Sequence, residues 1–453
     1  MKAWIALAAV VACSKAKPPP PPPPPPAPAS NPCAKAVPEG PLAWIADDYP
    51  DALACARDKK LPVVVDLWAP WCHTCLSMQT TVFRDPSFTA DRDRFVFLAL
   101  DTDREANAPA LAKLSISAWP TFYVIDSSSE QVLARFIGAA GIAQFHGFLD
   151  AGARALTGGG AAADARMLGA DRAMAKQDYQ TAADELAAAL GAADAAWPRR
   201  AEAIYDRGFA LVKSEQWRAC ADLADARGAD MGTDALATNF WQGAWFCASK
   251  LDDAARKTAL QDRAIARWRA ILADPHAQLS IDDRAEAMGY LRDALDERGD
   301  KDGALAVAEQ ARVLVDDAAA KAPDPRAAMT YNWPRAEVYV YLGRPLELVP
   351  ALEKSARDLP GEYDPRARLG WVYWKAGKLP EAAKWTDEAL AMVYGPRKGR
   401  LLVQRAEIAA AAGDHAGERT FREQAVKLYE SLPEAQQSPG ALAAAKAALA
   451  KLN

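Results

Sequence analysis

The segment Val63-Val64-Val65-Asp66-Leu67-Trp68-Ala69-Pro70-Trp71-Cys72-His73-Thr74-Cys75 constrains the fold of this chain more than any other. A run of β-branched residues without alternation predicts a strand buried on both faces. A turn follows, and the turn delivers two cysteines spaced i, i+3 at the start of a predicted helix. That spacing lets the sulfurs meet across one helical turn, so a disulfide can form and break with little motion. The first sulfur lies where unpaired backbone N–H groups and the positive end of the helix dipole favour thiolate over thiol. A static disulfide and half of a zinc site are the competing readings. A second cysteine pair at metal spacing is absent and the four histidines are isolated, so no metal and no other cofactor is expected.

The surrounding pattern predicts an α/β domain over 42–156. Leu61–Leu67, Phe95–Leu100, Phe122–Ile125 and Gln131–Ile137 read as strands, with helices at Asp51–Lys60, after Cys72, at Ala108–Leu114 and at Ile142–Leu156. The β-α-β then β-β-α order implies a mixed sheet between helices. Within it, Asp66 lies on a buried strand, where an unpaired carboxylate is expensive. It is read either as a proton acceptor for Cys75, with a pKa raised by desolvation, or as a carboxylate satisfied by local backbone donors. His73 has two readings: an imidazolium that stabilises the Cys72 thiolate, or a side chain in water.

On these residues the domain resembles thioredoxin over its whole length. Trp68-Ala69-Pro70-Trp71-Cys72-His73-Thr74-Cys75 is similar to that family's active-site turn, Trp119-Pro120-Thr121 to its cis-proline loop, Asp66 to its buried carboxylate and Gly138 to the glycine after its last strand. The stretch from Trp44 onward resembles bacterial periplasmic thioredoxin-like domains of the thiol:disulfide interchange type. The resemblance implies catalysis by Cys72 as attacker and Cys75 as resolving thiol, with Asp66, Trp71, His73 and Pro120 around them. It implies cysteine-containing client proteins and a periplasmic electron donor or acceptor, with reductase or isomerase as the direction. Cys-His-Thr-Cys departs from the family's Cys-Gly-Pro-Cys.

From Gly158-Gly159-Gly160 onward, strand signals vanish and alanine dominates. Turns recur between helical stretches, and Leu342-Gly343-Arg344, Ala376-Gly377-Lys378 and Ala412-Gly413-Asp414 mark a period in the mid-thirties, the signature of a helical-hairpin repeat. The copy from Tyr363 to Pro396 resembles a tetratricopeptide repeat. About seven hairpins are expected over 161–453, with two spacings long enough to hide an extra helix. Such arrays offer a concave surface for a protein partner, and Trp217, Trp241, Trp245, Trp371, Trp374 and Trp385 fall on helices that either pack the core or line that surface.

The first residues give a short positive start and an apolar stretch ending in Val10-Val11-Ala12-Cys13-Ser14. This resembles a bacterial lipoprotein signal over 1–12, which implies lipidation at Cys13 and a lipid-anchored periplasmic protein at the outer rather than the inner membrane; a general secretory signal is the alternative. Residues 13–41 read as a tether: the proline run Pro18–Pro26 is expected to adopt a stiff extended helix of about 28 Å. Setting Cys13 aside leaves an even number of cysteines, and Cys33 with Cys55 and Cys220 with Cys247 are candidate structural disulfides, free buried thiols being the other reading. A net charge of −5 with no basic block argues against nucleic acid. Two functional classes remain open: a protein disulfide oxidoreductase whose helical array recruits clients, and an envelope scaffold in which the array is the working part and the thioredoxin-like domain a regulatory docking module.

Overall fold

In the computed structural model, whose described residues are Met1 and 31–452, six strands form one sheet: β1 Val37–Glu39, β2 Leu42–Ala46, β3 Val63–Trp68, β4 Val96–Asp101, β5 Thr121–Ile125 and β6 Val132–Ile137. Their order is β1-β2-β4-β3-β5-β6. β3 pairs parallel with β4 and antiparallel with β5, and β5 pairs antiparallel with β6. The helices of this domain are α1 Tyr49–Lys59, α2 His73–Thr80, α3 Ala108–Leu111 and α4 Ile142–Leu156.

The period-two alternation of the strands sorts their side chains between two cores. Val63, Val65 and Leu67 join Leu98, Leu100 and Tyr123 under α1, whose Ala52, Leu53 and Cys55 close that face. Val64, Phe97, Phe122, Val124 and Phe136 point to the other side, against Met78 of α2 and Phe145, Phe148 and Leu149 of α4. Both faces of β3 are covered, which is why its sequence does not alternate. Asp66 shares the α2 face with Val64, a position set by parity alone.

The fold begins earlier than the tether reading of 13–41 placed it. Pro32–Lys35 forms a 3-10 turn, and β1 pairs antiparallel with β2 in the register Val37 to Trp44. Cys33 is bonded to Cys55 on α1, which fixes this segment to the domain. A three-residue strand that contains Pro38 carries no periodicity by which a sequence reading could find it. Cys13, the lipoprotein-like signal and the proline run lie outside the described residues. No helix among the described residues is long and apolar enough to cross a membrane.

Beyond Gly160 the chain is helical. Antiparallel pairs run from Ala162–Ala175 with Tyr179–Ala192 to Gly395–Ala411 with His415–Ser431, and Pro439–Ala450 ends the array. Turns are closed by Gly343, Gly377 and Gly413 at positive φ, the left-handed cap that ends a helix without a Cβ penalty. The two long spacings come from the long helices Ala254–Ala273 and Lys301–Lys321 and from an extra short helix, Pro325–Met329. Cys220 and Cys247 are joined between the helices Trp217–Arg227 and Ala235–Ser249.

The array wraps its own sheet domain. One continuous core runs from Trp44 and Phe122 through α4 into Met167, Leu186, Ile204, Trp241 and Trp268. Arg135 of β6, 1% exposed, takes part of this contact, its backbone N–H donating to Asp171 at 3.3 Å. At the other end, Gln436 Nε2 donates to the carbonyls of Thr102 and Arg104 at 2.8 and 2.9 Å, and Tyr394 hydrogen-bonds Asp101. Gly395, at φ +58°, passes so close to Asp103 that a Cβ there would sit 2.1 Å from its carbonyl oxygen. Helices of the array therefore pack directly on the chain's own first domain.

Candidate active site

β3 and the turn after it place Cys72 at the N-cap of α2. Cys72 and Cys75 are disulfide-bonded, and Cys72 Sγ accepts a hydrogen bond from the Cys75 backbone N–H at 3.0 Å. The same N–H would stabilise a thiolate on Cys72 after reduction, together with the partial positive charge of the helix start. The sulfurs contact Ala69 and are walled by Trp68, Trp71 and Trp119.

The Trp119–Pro120 peptide is cis. Thr121, the next residue, pairs with Leu67 across β3 and β5, so Pro120 stands at the end of the sheet where β3 releases the cysteine turn. Pro120 has no N–H, and its carbonyl accepts from Gly138 N–H at 2.8 Å, which ties the loop to the end of β6. Trp119 Nε1 donates to Thr102 at 2.8 Å and Trp71 Nε1 to Asp103 at 2.9 Å. The two indoles stand 5.0 Å apart and lie over the disulfide side of the sheet end.

Asp66, on β3 just before this turn, is 2% exposed, and its Oδ1 has no hydrogen-bond partner. Burial pushes its carboxyl up to about 8, opposed only by a hydrogen bond from Gln79 of α2. A carboxyl of this kind can exchange a proton near neutral pH. Of the two readings open for Asp66, satisfaction by local backbone donors does not describe Oδ1.

His73 lines the same cavity as Cys72 but is held from the helical array. Its ring turns to the helical array, where Nδ1 donates to Asp282 Oδ1 at 2.7 Å and Oδ2 at 2.9 Å. Burial lowers the imidazole pKa, but the carboxylates of Asp282, Glu286 and Glu337 outweigh it and raise the value to about 9. The charge on His73 is thus neutralised by a buried partner.

Further along the array, Arg368 Nη2 donates to the Trp71 carbonyl at 3.2 Å while paired with Asp364 at 2.6 Å. The guanidinium carbons of Arg397 and Arg400 lie 5.6 and 5.7 Å from the Trp71 ring centroid. These groups close over the cysteines: Cys72 is 4% and Cys75 1% exposed. Cys72 opens into a cavity of about 310 Å³ walled by Trp71, Trp119, Trp333 and the three arginines. Larger cavities of about 400 and 870 Å³ lie beyond Trp119 and Trp71 but do not include either cysteine in their walls. Among the described residues no group of three or more His, Cys, Asp or Glu side chains converges to hold a metal ion.

The arginines, Asp282 and Trp333 were not singled out from the sequence. They lie more than two hundred residues from Cys72, on helices whose local pattern explains them otherwise. Ser280 and Asp283 form a capping box, for example, and Asp282 reads as an ordinary acidic residue of a first helical turn. Of the tryptophans flagged on helices, Trp241 is core, whereas Trp371 is partly buried and packs 5.1 Å from Trp333.

Residues 43–127 match the family model described as thioredoxin-like, and they form a thioredoxin-like domain. The chain is also similar to the thiol:disulfide interchange protein DsbD of Pectobacterium atrosepticum, with 31% identity over 112 residues, 24% of this chain and 19% of that protein. The protein of the same name from Vibrio vulnificus strain CMCP6 is 34% identical over 58 residues, 13% of this chain and 10% of that protein. The chain therefore spans a fifth or less of the length of these curated relatives. A tetratricopeptide repeat protein from Parabacteroides merdae aligns with 64% of this chain and 98% of its own length, at 12% identity and a TM-score of 0.42.

Proposed function

We propose that this protein is a thiol:disulfide oxidoreductase that works in the bacterial periplasm from a lipid anchor. The observation that carries the reading is the Cys72–Cys75 disulfide at a helix N-cap, at the sheet end that bears a cis-proline and after a strand that holds a buried carboxyl near 8. In the reducing direction the Cys72 thiolate attacks a substrate disulfide and forms a mixed disulfide, releasing one substrate thiolate. Cys75, losing its proton to the fraction of Asp66 that is ionised, then attacks Cys72 Sγ and releases the second. The substrate gains two electrons and the protein ends as the disulfide.

Reductase or isomerase is the direction we favour. An unopposed imidazolium beside Cys72 would stabilise the thiolate and make the pair oxidising; pairing of His73 with Asp282 offsets that charge. The disulfides Cys33–Cys55 and Cys220–Cys247 suit an oxidising compartment, and the lipoprotein-like start with its proline run suits an anchored, spaced protein. An electron donor of dithiol type would recharge the pair.

The test is the reduction potential of Cys72–Cys75 in the full chain, equilibrated against dithiothreitol buffers and read by tryptophan fluorescence. A value near ~−270 mV supports a reductase, and one near ~−120 mV refutes that direction. In parallel, Cys75→Ser is expected to accumulate mixed disulfides that dithiothreitol releases. A variant that traps nothing, beside a wild type without dithiol activity, would defeat the reading.

A further inference from the structure

We propose that the cavity over Cys72 is a subsite for small carboxylate-bearing disulfides, with Arg397 and Arg400 as the residues that select the negative charge. This rests on the oxidoreductase reading and adds a substrate class to it.

Cys72 lies in the wall of the cavity of about 310 Å³, so a disulfide that enters it meets the attacking sulfur and these walls together. The volume suits a small molecule rather than a folded protein. Three guanidinium groups converge on it. Arg368 is already committed, to Asp364 and the Trp71 carbonyl, and serves to hold the turn. Arg397 and Arg400 are not: among the described residues neither forms an ion pair, and Asp364 and Asp103 interact with them only at longer range. They are held instead against the face of Trp71, the residue before the nucleophile.

Two buried donors lack acceptors here. Arg368 is 5% exposed and its Nε–H has no hydrogen-bond partner, and the same holds for the buried Nε–H of Arg397. Buried donors are seldom left so, because each forgoes a hydrogen bond it would make in water. Crowding by Arg368 and Arg400 adds to burial in lowering the Arg397 pKa to about 10, a strain that an anion would relieve. Of the acids on this side, Asp364 acts on Arg397 but is bound to Arg368, and Asp103 is pushed up to about 7 by burial and Asp101, which weakens it as a counter-charge near neutral pH. Glu286 also lines the cavity, but it lies on the His73 side, where it helps hold the imidazolium. The walls are thus aromatic and cationic next to the sulfur, the combination that accepts a planar carboxylate through paired N–H donors.

Exchange proceeds as above: Cys72 forms a bond to one sulfur of R–S–S–R and expels RS⁻; Cys75 closes the protein disulfide and expels the second thiolate. A substrate carboxylate on Arg397 and Arg400 would set the S–S bond beside Cys72 and take no part in the electron transfer.

The experiment uses the full chain, reduced with dithiothreitol and desalted, and follows its oxidation by tryptophan fluorescence. The probes are 3,3′-dithiodipropionate, neutral 2-hydroxyethyl disulfide, cationic cystamine, and insulin as a protein disulfide. The wild type is expected to react fastest with dithiodipropionate, with the preference falling as salt rises. In R397Q/R400Q the ratio of the anionic to the neutral rate should fall about tenfold, as expected for a lost charge-assisted hydrogen bond. R397K/R400K should recover part of it. Equal rates for anionic and neutral probes, an unchanged ratio in the glutamine variant, or insulin outpacing every small probe would each overturn the subsite while leaving the oxidoreductase reading in place. Reaction with none of the probes would remove that reading itself.

Discussion

Replacing Asp66 with Asn tests the buried carboxyl directly. Burial raises its pKa from an ordinary 3.8 to about 8 in the folded, oxidised protein. Below pH 3.8 the folded and unfolded chains both carry the proton and the group costs nothing. Between 3.8 and about 8 the unfolded chain has released it while the folded chain retains it, so stability falls as pH rises. The slope is about 1.4 kcal/mol per pH unit, which makes the cost at pH 7 about 4 kcal/mol. Asp66 is 2% exposed, so solvent screening takes little from this figure. Asn carries no such proton linkage. Urea unfolding of oxidised wild type and D66N between pH 4 and 9 should therefore give a stability difference that grows with pH in favour of D66N and levels off above pH 8. The same substitution should slow release of mixed disulfides by about 10²-fold or more if Asp66 takes the Cys75 proton. Parallel stability curves for the two proteins would refute the assignment of a raised pKa to Asp66.

Other outcomes follow from contacts between the two parts of the chain. The His73 pKa is raised from 6.5 to about 9, so its contribution is complete below 6.5 and is lost as pH rises through 9, roughly 3 kcal/mol in all. Thermal unfolding at pH 6 and pH 9.5 should show this loss in wild type and little of it in H73Q. Gly395→Ala places a methyl group against the Asp103 carbonyl at a backbone angle that disfavours it, and should cost about 1–3 kcal/mol and raise hydrogen exchange around Thr102. Breaking Cys33–Cys55 with C33S/C55S removes a cross-link between residues 22 apart and should lower stability by roughly 3 kcal/mol, read as a shift in the urea midpoint.

The sequence was legible where chemistry is local. The run of β-branched residues, the cysteine spacing and Trp119-Pro120-Thr121 belong to short segments whose neighbours in space are their neighbours in sequence or lie across one sheet. The strands and α4 follow from the same apolar patterns. The repeat turns were readable because a left-handed cap favours glycine at a fixed interval. What was not legible arises from packing over long separations. Nothing near Asp282 announces an imidazole 209 residues away, and nothing near Arg397 announces Trp71. Alanine-rich helices can pack on one another or on a sheet with equal local pattern, so the choice to close around the first domain is made by the shapes of whole faces.

That closure fixes the array at both ends. Its opening helix abuts β6 through Asp171, and its last turns grip the loop after β4 through Tyr394 and Gln436. A free superhelix of hairpins behaves as a spring, stretching by small tilts shared among its units. Here the pitch is dictated by the block it encircles, much as a belt takes its length from the waist. Adding or removing a single hairpin would leave the buckle out of reach of its catch, so unit number in this chain is set by circumference.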